Sequence, residues 1–126
     1  ENLINSLGLE KKVELIGFVK NVQDYIYNSD LQIISSSEEG LSLALIEGIF
    51  YANVLVATDI ANHKELLGLD LIFDNDVNSF VNKLEDVNSN YKRYEQLFAK
   101  VKEKKEDFSI EKMVEQYVQA YKSLIK

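Results

Sequence analysis

The chain has 126 residues, enough for one domain, and its 46% hydrophobic and 28% charged content argues for a packed core over disorder. It has no cysteine and one histidine, His63, which excludes disulfides, thiolate nucleophiles, cysteine–zinc sites and histidine metal clusters. A net charge of −7 argues against a generic nucleic-acid binder, and no apolar run approaches the roughly 18 residues of a membrane span.

The chain opens Glu1-Asn2-Leu3, with neither an initiator methionine nor a basic leader, as expected of a cytosolic piece of a larger protein. Glu1 to Gly8 reads as half a helix with no preceding strand to pack beneath, a further expectation of truncation. Val13 to Ile16 reads as a strand, and Val19 to Asn28 carries Val22, Tyr25 and Ile26 at helical spacing. Leu31 to Ile34 is a second strand. Ser42 to Ala52 is apolar almost all round, which predicts a buried helix. Val54 to Ala57 is apolar throughout, as a strand covered on both faces should be. Asn62 to Leu67 can hold one or two helical turns, and Leu69 to Phe73 is a fourth strand. Asp76 to Val87 places Val77, Phe80, Val81 and Leu84 on one helical face, and two more helices follow over 90–103 and 109–126. Strand–helix alternation with crossovers of this length predicts an α/β fold: a parallel sheet with helices on both faces.

Charge divides the chain as well. Residues 1–89 carry a balance of −10 and residues 90–126 one of +3, an acidic body followed by a basic helical tail. Within the tail, Lys100, Lys102, Lys104 and Lys105 alternate with acidic residues; they read as a solvated helix face or as a contact for anionic lipid headgroups. Tyr91, Tyr94, Tyr117 and Tyr121 read as packing residues. Ile110, Met113, Val114, Tyr117, Val118, Tyr121 and Leu124 form an amphipathic stripe, expected either to fold onto the sheet layer or to drive self-association through 109–126.

One segment concentrates chemistry: Ser35-Ser36-Ser37-Glu38-Glu39-Gly40-Leu41-Ser42, leading into the apolar helix that carries Glu47. It follows a strand, and in an open parallel sheet ligands bind at the carboxyl ends of strands. A helix N-terminus there offers unpaired N–H groups to an anion; Gly40 permits close backbone approach and Ser42 is a natural N-cap. Glu39 and Glu47 leave two readings open. They are carboxylates that accept sugar hydroxyls, or Glu47 is solvated and Glu39 only complements the helix dipole. His63 reads as a loop histidine, with a donor-site role as the alternative, and Glu65 as a cap of a short helix or a pocket residue.

Glu39 and Glu47, with seven residues between, resemble the E-x7-E motif of retaining glycosyltransferases of GT-B architecture, in which two Rossmann-like domains face each other. Leu7-Gly8-Leu9 with Val13 to Val19 resembles that family's "LGL…V.FLGFV"; Ser29-Asp30-Leu31 resembles "ADL"; Ser35 to Gly40 resembles "PS..EG". Val56 to Asp59 followed by Glu65-Leu66-Leu67 resembles "VATD…E.I", and Phe108 to Glu111 resembles "FSWE". The order holds along almost the whole chain, and together these stretches resemble glycosyltransferase family 4. Departures are Ser35 for proline, Tyr51-Ala52-Asn53-Val54 for "A.G.PVV", and Ala61-Asn62 for Gly-Gly, which is expected to narrow the donor loop.

The resemblance implies transfer of a sugar from a nucleoside diphosphate sugar to an acceptor hydroxyl with retention, without a metal or other cofactor. It implies that Glu47 binds ribose hydroxyls and that the catalytic Glu39 holds the donor sugar. It further implies that Gly40, Leu41, Ser42 and Leu43 face sugar and diphosphate, and that Gly17, Phe18 and Val19 lie beside the base. The family's Gly-rich turn, its Arg/Lys pair and its N-terminal acceptor domain have no counterpart in these residues. The implied organisation is a partial nucleotide-sugar-binding domain over 1–108 and a crossover helix over 109–126, inactive without that acceptor domain. The implied setting is cytoplasmic, at the inner face of the membrane, with no nucleic-acid partner. A non-catalytic α/β interaction or regulatory module is the alternative; it explains the alternation but not the motifs.

Overall fold

The computed structural model describes residues 1–125. Three strands, β1 (Gln32–Ile34), β2 (Leu55–Thr58) and β3 (Ile72–Phe73), form a parallel sheet in the order β1-β2-β3. Ile33 sits opposite Val56, and Thr58 opposite Phe73. Among the described residues, seven α-helices accompany them: α1 (Asn2–Ser6), α2 (Val22–Asn28), α3 (Leu43–Tyr51), α4 (Ala61–Leu67), α5 (Val77–Ser89), α6 (Tyr91–Lys102) and α7 (Ile110–Leu124).

Capping residues explain where α3, α5 and α7 begin. The Ser42 Oγ accepts from the Leu45 N–H at 3.3 Å, an Asp76 carboxylate oxygen from the Ser79 N–H at 3.0 Å, and the Ser109 Oγ from the Lys112 N–H at 3.2 Å. All four residues of β2 are buried. Its side chains alternate between faces, so the central strand is covered on both. Gly48 of α3 lies against Leu55 and Gln32, so the absence of a side chain there lets the helix seat on the sheet.

Helix α6 closes one end of the sheet. Tyr91 Oη donates to the Asp30 carbonyl (2.7 Å), Lys102 Nζ to the Ala52 carbonyl (2.9 Å), and Arg93 Nη2 to the Asp70 carboxylate (2.8 Å). Asp30, Ala52 and Asp70 lie just before β1, β2 and β3, so all three contacts are at the amino ends of the strands. Tyr94 and Phe98 of the same helix are fully buried in the core.

Several sequence expectations need correction. Val13 to Ile16 is not a strand, and Val13, Leu15 and Ile16 are all exposed. The run pairs with no strand among the described residues, so it has no ladder to join. The fourth predicted strand shortens to Ile72–Phe73, because Leu69–Leu71 winds into a 3₁₀ turn after Gly68, whose φ is +77°. Helix α2 begins at Val22 rather than Val19.

The tail is corrected too. Helix α7 does not fold onto the sheet layer: Ile110 is 71% exposed and Val118, the best covered of the stripe, is still 43% exposed. Tyr117 and Tyr121 stack on each other at 6.4 Å and are exposed, unlike the buried Tyr94. Lys126, the last residue of the predicted tail helix, lies outside the described residues.

Candidate functional site

With α6 at the amino ends, the carboxyl ends of the strands remain open. Three connections leave there: Ser35–Ser42 after β1, Asp59–Ile60 after β2 and Asp74–Asp76 after β3. They hold Glu38, Glu39, Asp59, Asp74 and Asp76 and no lysine or arginine. Lys64, on α4, is paired with Asp59 at 2.8 Å.

The first connection is tightly held. Thr58 Oγ1, buried at the end of β2, donates to the Ser36 carbonyl, and Ser36 Oγ donates to the Glu39 carboxylate. Hydrogen bonds from Ser36 and then Ser42 hold the Glu39 carboxyl below the usual glutamate range, with a smaller contribution from the nearby His63. Asn62 Nδ2 donates to the Glu39 carbonyl at 3.0 Å and to the Gly40 carbonyl as well. The backbone N–H groups of Gly40, Leu41, Ser42 and Leu43 donate to no acceptor among the described residues. They sit at the N-terminus of α3, where the helix dipole favours an anion. Leu41 and Leu43 are exposed there, whereas Ser42 is buried by its cap.

Glu47 lies more than one turn into α3, half-buried, and lines a cleft with Gln23 of α2, Phe50, Phe108 and Ser109. No hydrogen bond joins it to the Glu39 cluster among the described residues. Gly17, Phe18 and Val19 are not among the residues lining this cleft. Gly17 turns the chain with a φ of +63°, and Phe18 beyond it is 93% exposed.

His63 is not a loop residue. It lies within α4, fully buried, with Nδ1 3.0 Å from the Thr58 carbonyl. A carbonyl only accepts, so Nδ1 carries the hydrogen. Nε2 is buried and has no partner among the described residues. Glu65 caps nothing; it is exposed on α4, whose N-cap is Ile60, and lines a shallow cavity with Lys100 and Lys104. Asn62, Ser36, Thr58 and Gln23 were not singled out from sequence as site residues. Their signal is spatial: Asn62 on α4 and Thr58 on β2 reach the Glu39 loop from separate elements, and Ser36 bonds Glu39 from within that loop. Among the described residues, no group of three or more acidic or histidine side chains could hold a metal ion.

Comparison with known proteins gives this geometry a context. The family described as "Glycosyl transferases group 1" matches residues 1–90. "Putative glycosyltransferase EpsD" of Bacillus subtilis (strain 168) is 31% identical over 100 residues, covering 79% of this chain and 25% of that protein. An "Uncharacterized glycosyltransferase" of Haemophilus influenzae is 28% identical over 124 residues, covering 93% of this chain and 35% of that protein. A third relative, "Capsular polysaccharide biosynthesis glycosyltransferase CapH" of Staphylococcus aureus, is 32% identical over 65 residues, covering 52% of this chain and 18% of that protein. The chain thus spans a third or less of most of the relatives it matches. In structure it superimposes on sucrose-phosphate synthase from Thermosynechococcus elongatus with a TM-score of 0.85 at 18% identity, covering 98% of this chain and 33% of that one. The likeness shows a shared Rossmann-like fold. With its family match running from Glu1 to Asn90, the chain belongs to the glycosyl transferases group 1 family.

Proposed function

We propose that the chain is the donor-binding portion of a retaining glycosyltransferase, which moves a sugar from a nucleoside diphosphate sugar to an acceptor hydroxyl. The observation that carries the reading is the pairing, at the carboxyl end of β1, of an ionised Glu39 with the undonated N–H groups of Gly40 to Leu43. Backbone N–H groups at a helix N-terminus suit the leaving diphosphate, and a fixed carboxylate suits sugar hydroxyls and developing oxocarbenium charge. Glu47 takes the ribose in this reading, with Gln23 across the same cleft, and Gly17 to Val19 flank the base. Residues 1–108 form the nucleotide-sugar-binding unit and 109–126 the crossover helix.

The same electrostatics argue that this portion is inactive alone. The three open connections carry five carboxylates and no cation, so a diphosphate needs positive charge from outside these connections. An acceptor-binding domain is the partner this reading requires, and the cytoplasmic side of a membrane its expected setting. The name of one relative, the capsular polysaccharide glycosyltransferase, points to polysaccharide synthesis as the process served.

The test uses the full-length protein and a panel of UDP-glucose, UDP-N-acetylglucosamine and GDP-mannose, with release of nucleoside diphosphate as readout. Glu47→Ala should raise donor KM about tenfold with little change in kcat, and Glu39→Gln should lower kcat about a hundredfold or more. Retention of full transfer by Glu39→Gln, or turnover of no panel member by the wild type, would overturn the reading.

A further inference from the structure

Asn62 stands out because its side chain joins two elements that the sequence separates. Its Nδ2 donates from α4 to the carbonyls of Glu39 and Gly40 in the loop after β1. These are consecutive carbonyls, and both turn toward α4. In a trans peptide the N–H of the next residue points opposite to the carbonyl, and no cis peptide occurs among the described residues. Fixing the Glu39 carbonyl therefore directs the Gly40 N–H away from α4. Fixing the Gly40 carbonyl does the same for the Leu41 N–H. Neither N–H has an acceptor among the described residues.

We infer that Asn62 is a positioning residue: its amide pins the two carbonyls so that the Gly40 and Leu41 N–H groups are held outward, ready for an anionic oxygen, before any ligand arrives. The inference rests on the donor-binding reading above. A diphosphate leaving group that meets oriented donors needs no reorganisation as its charge develops, which is where such donors act most strongly. The rest of the loop supports the same arrangement. Thr58 holds the Ser36 carbonyl from β2, and Ser36 holds the Glu39 carboxylate, so Asn62 supplies the restraint from the α4 side. Asn62 replaces the second glycine of the resembled family's pair without simply narrowing the loop, since its polar end is spent on the loop's own backbone.

The test compares Asn62→Ala and Asn62→Asp in the full-length protein, using whichever donor of the panel is turned over. Asn62→Asp keeps the shape, loses both N–H donors and sets a carboxylate against two carbonyl oxygens. Expected are a kcat about tenfold lower for Asn62→Ala and lower again for Asn62→Asp, with donor KM within about threefold of wild type. A purely structural role would instead lower melting temperature and active fraction without ordering the two variants in this way. Backbone nitrogen-15 relaxation supplies a readout independent of turnover: the order parameters of Gly40 and Leu41 should fall from about 0.85 to below about 0.6 in Asn62→Ala and in Asn62→Asp, while those of β2 stay unchanged. Wild-type kcat and wild-type order parameters in Asn62→Asp would overturn the inference, even with Glu39→Gln inactive. An active Glu39→Gln would overturn the donor-site reading instead, whatever Asn62 does.

Discussion

Glu39 is held as a carboxylate by hydroxyl donors rather than by a cation. Ser36 contributes most, Ser42 next, and the effect is a pKa below the ordinary 4.5. With the folded value depressed, the group's contribution to stability is complete above the unfolded value and is lost as pH falls through the folded one. Carbon-13 titration of the Glu39 carboxyl should therefore give a midpoint below 4.5, and Ser36→Ala should move it upward. An unshifted midpoint in both proteins would show that the hydroxyl contact is not populated in solution. Glu39, Gly40 and Ser42 were legible because spacing after a strand, a glycine and a capping residue are local signals. Asn62 was not, since nothing in Ala61-Asn62 states that an amide will reach carbonyls more than twenty positions earlier. His63 misled for the opposite reason. A polar residue in a short segment suggests a loop, yet the Thr58 carbonyl gives its Nδ1 a partner and allows full burial within a helix.

Helix α3 follows directly from its apolar run and Ser42 cap, but it is buried on one face only: Leu45, Gly48 and Ile49 are covered while Leu43 and Tyr51 are exposed. The apolar β2 run follows as surely. How closely the two approach depends on Gly48, whose role could not be read from periodicity. A Cβ there would meet Leu55 Cδ1 and Gln32 Oε1 well inside van der Waals contact. The Gln32 side chain can swing aside, but Leu55 is fully buried and has nowhere to go. Gly48→Ala should therefore destabilise the fold by about 1–3 kcal/mol despite its better helix propensity. Urea denaturation measures it, and a variant as stable as wild type would mean the helix can lift off the sheet freely. Val13 to Ile16 marks where element reading fails in principle. Its pattern is that of a strand, but a strand exists only by pairing, and pairing is a property of the neighbour rather than of the segment.

At the scale of the molecule, the charge division between an acidic body and a basic tail survives, but the tail's final helix stands clear of the body. Its apolar stripe, from the 71% exposed Ile110 to the 78% exposed Leu124, is more contiguous apolar surface than monomers usually leave in water. Light scattering on this chain should show concentration-dependent association, abolished in a Val114→Asp, Tyr121→Asp double variant. A wild type that stays monomeric up to its solubility limit would refute association through this face. The opposite pole of the fold behaves differently. Because α6 fastens the start of each strand through Tyr91, Arg93 and Lys102, the sheet is anchored at the end away from its chemistry. The connections at the other end can then change sequence with little cost to the frame. Such a division of labour lets a lineage rewrite a few loop residues at the open end, while the keel beneath them keeps the protein folded.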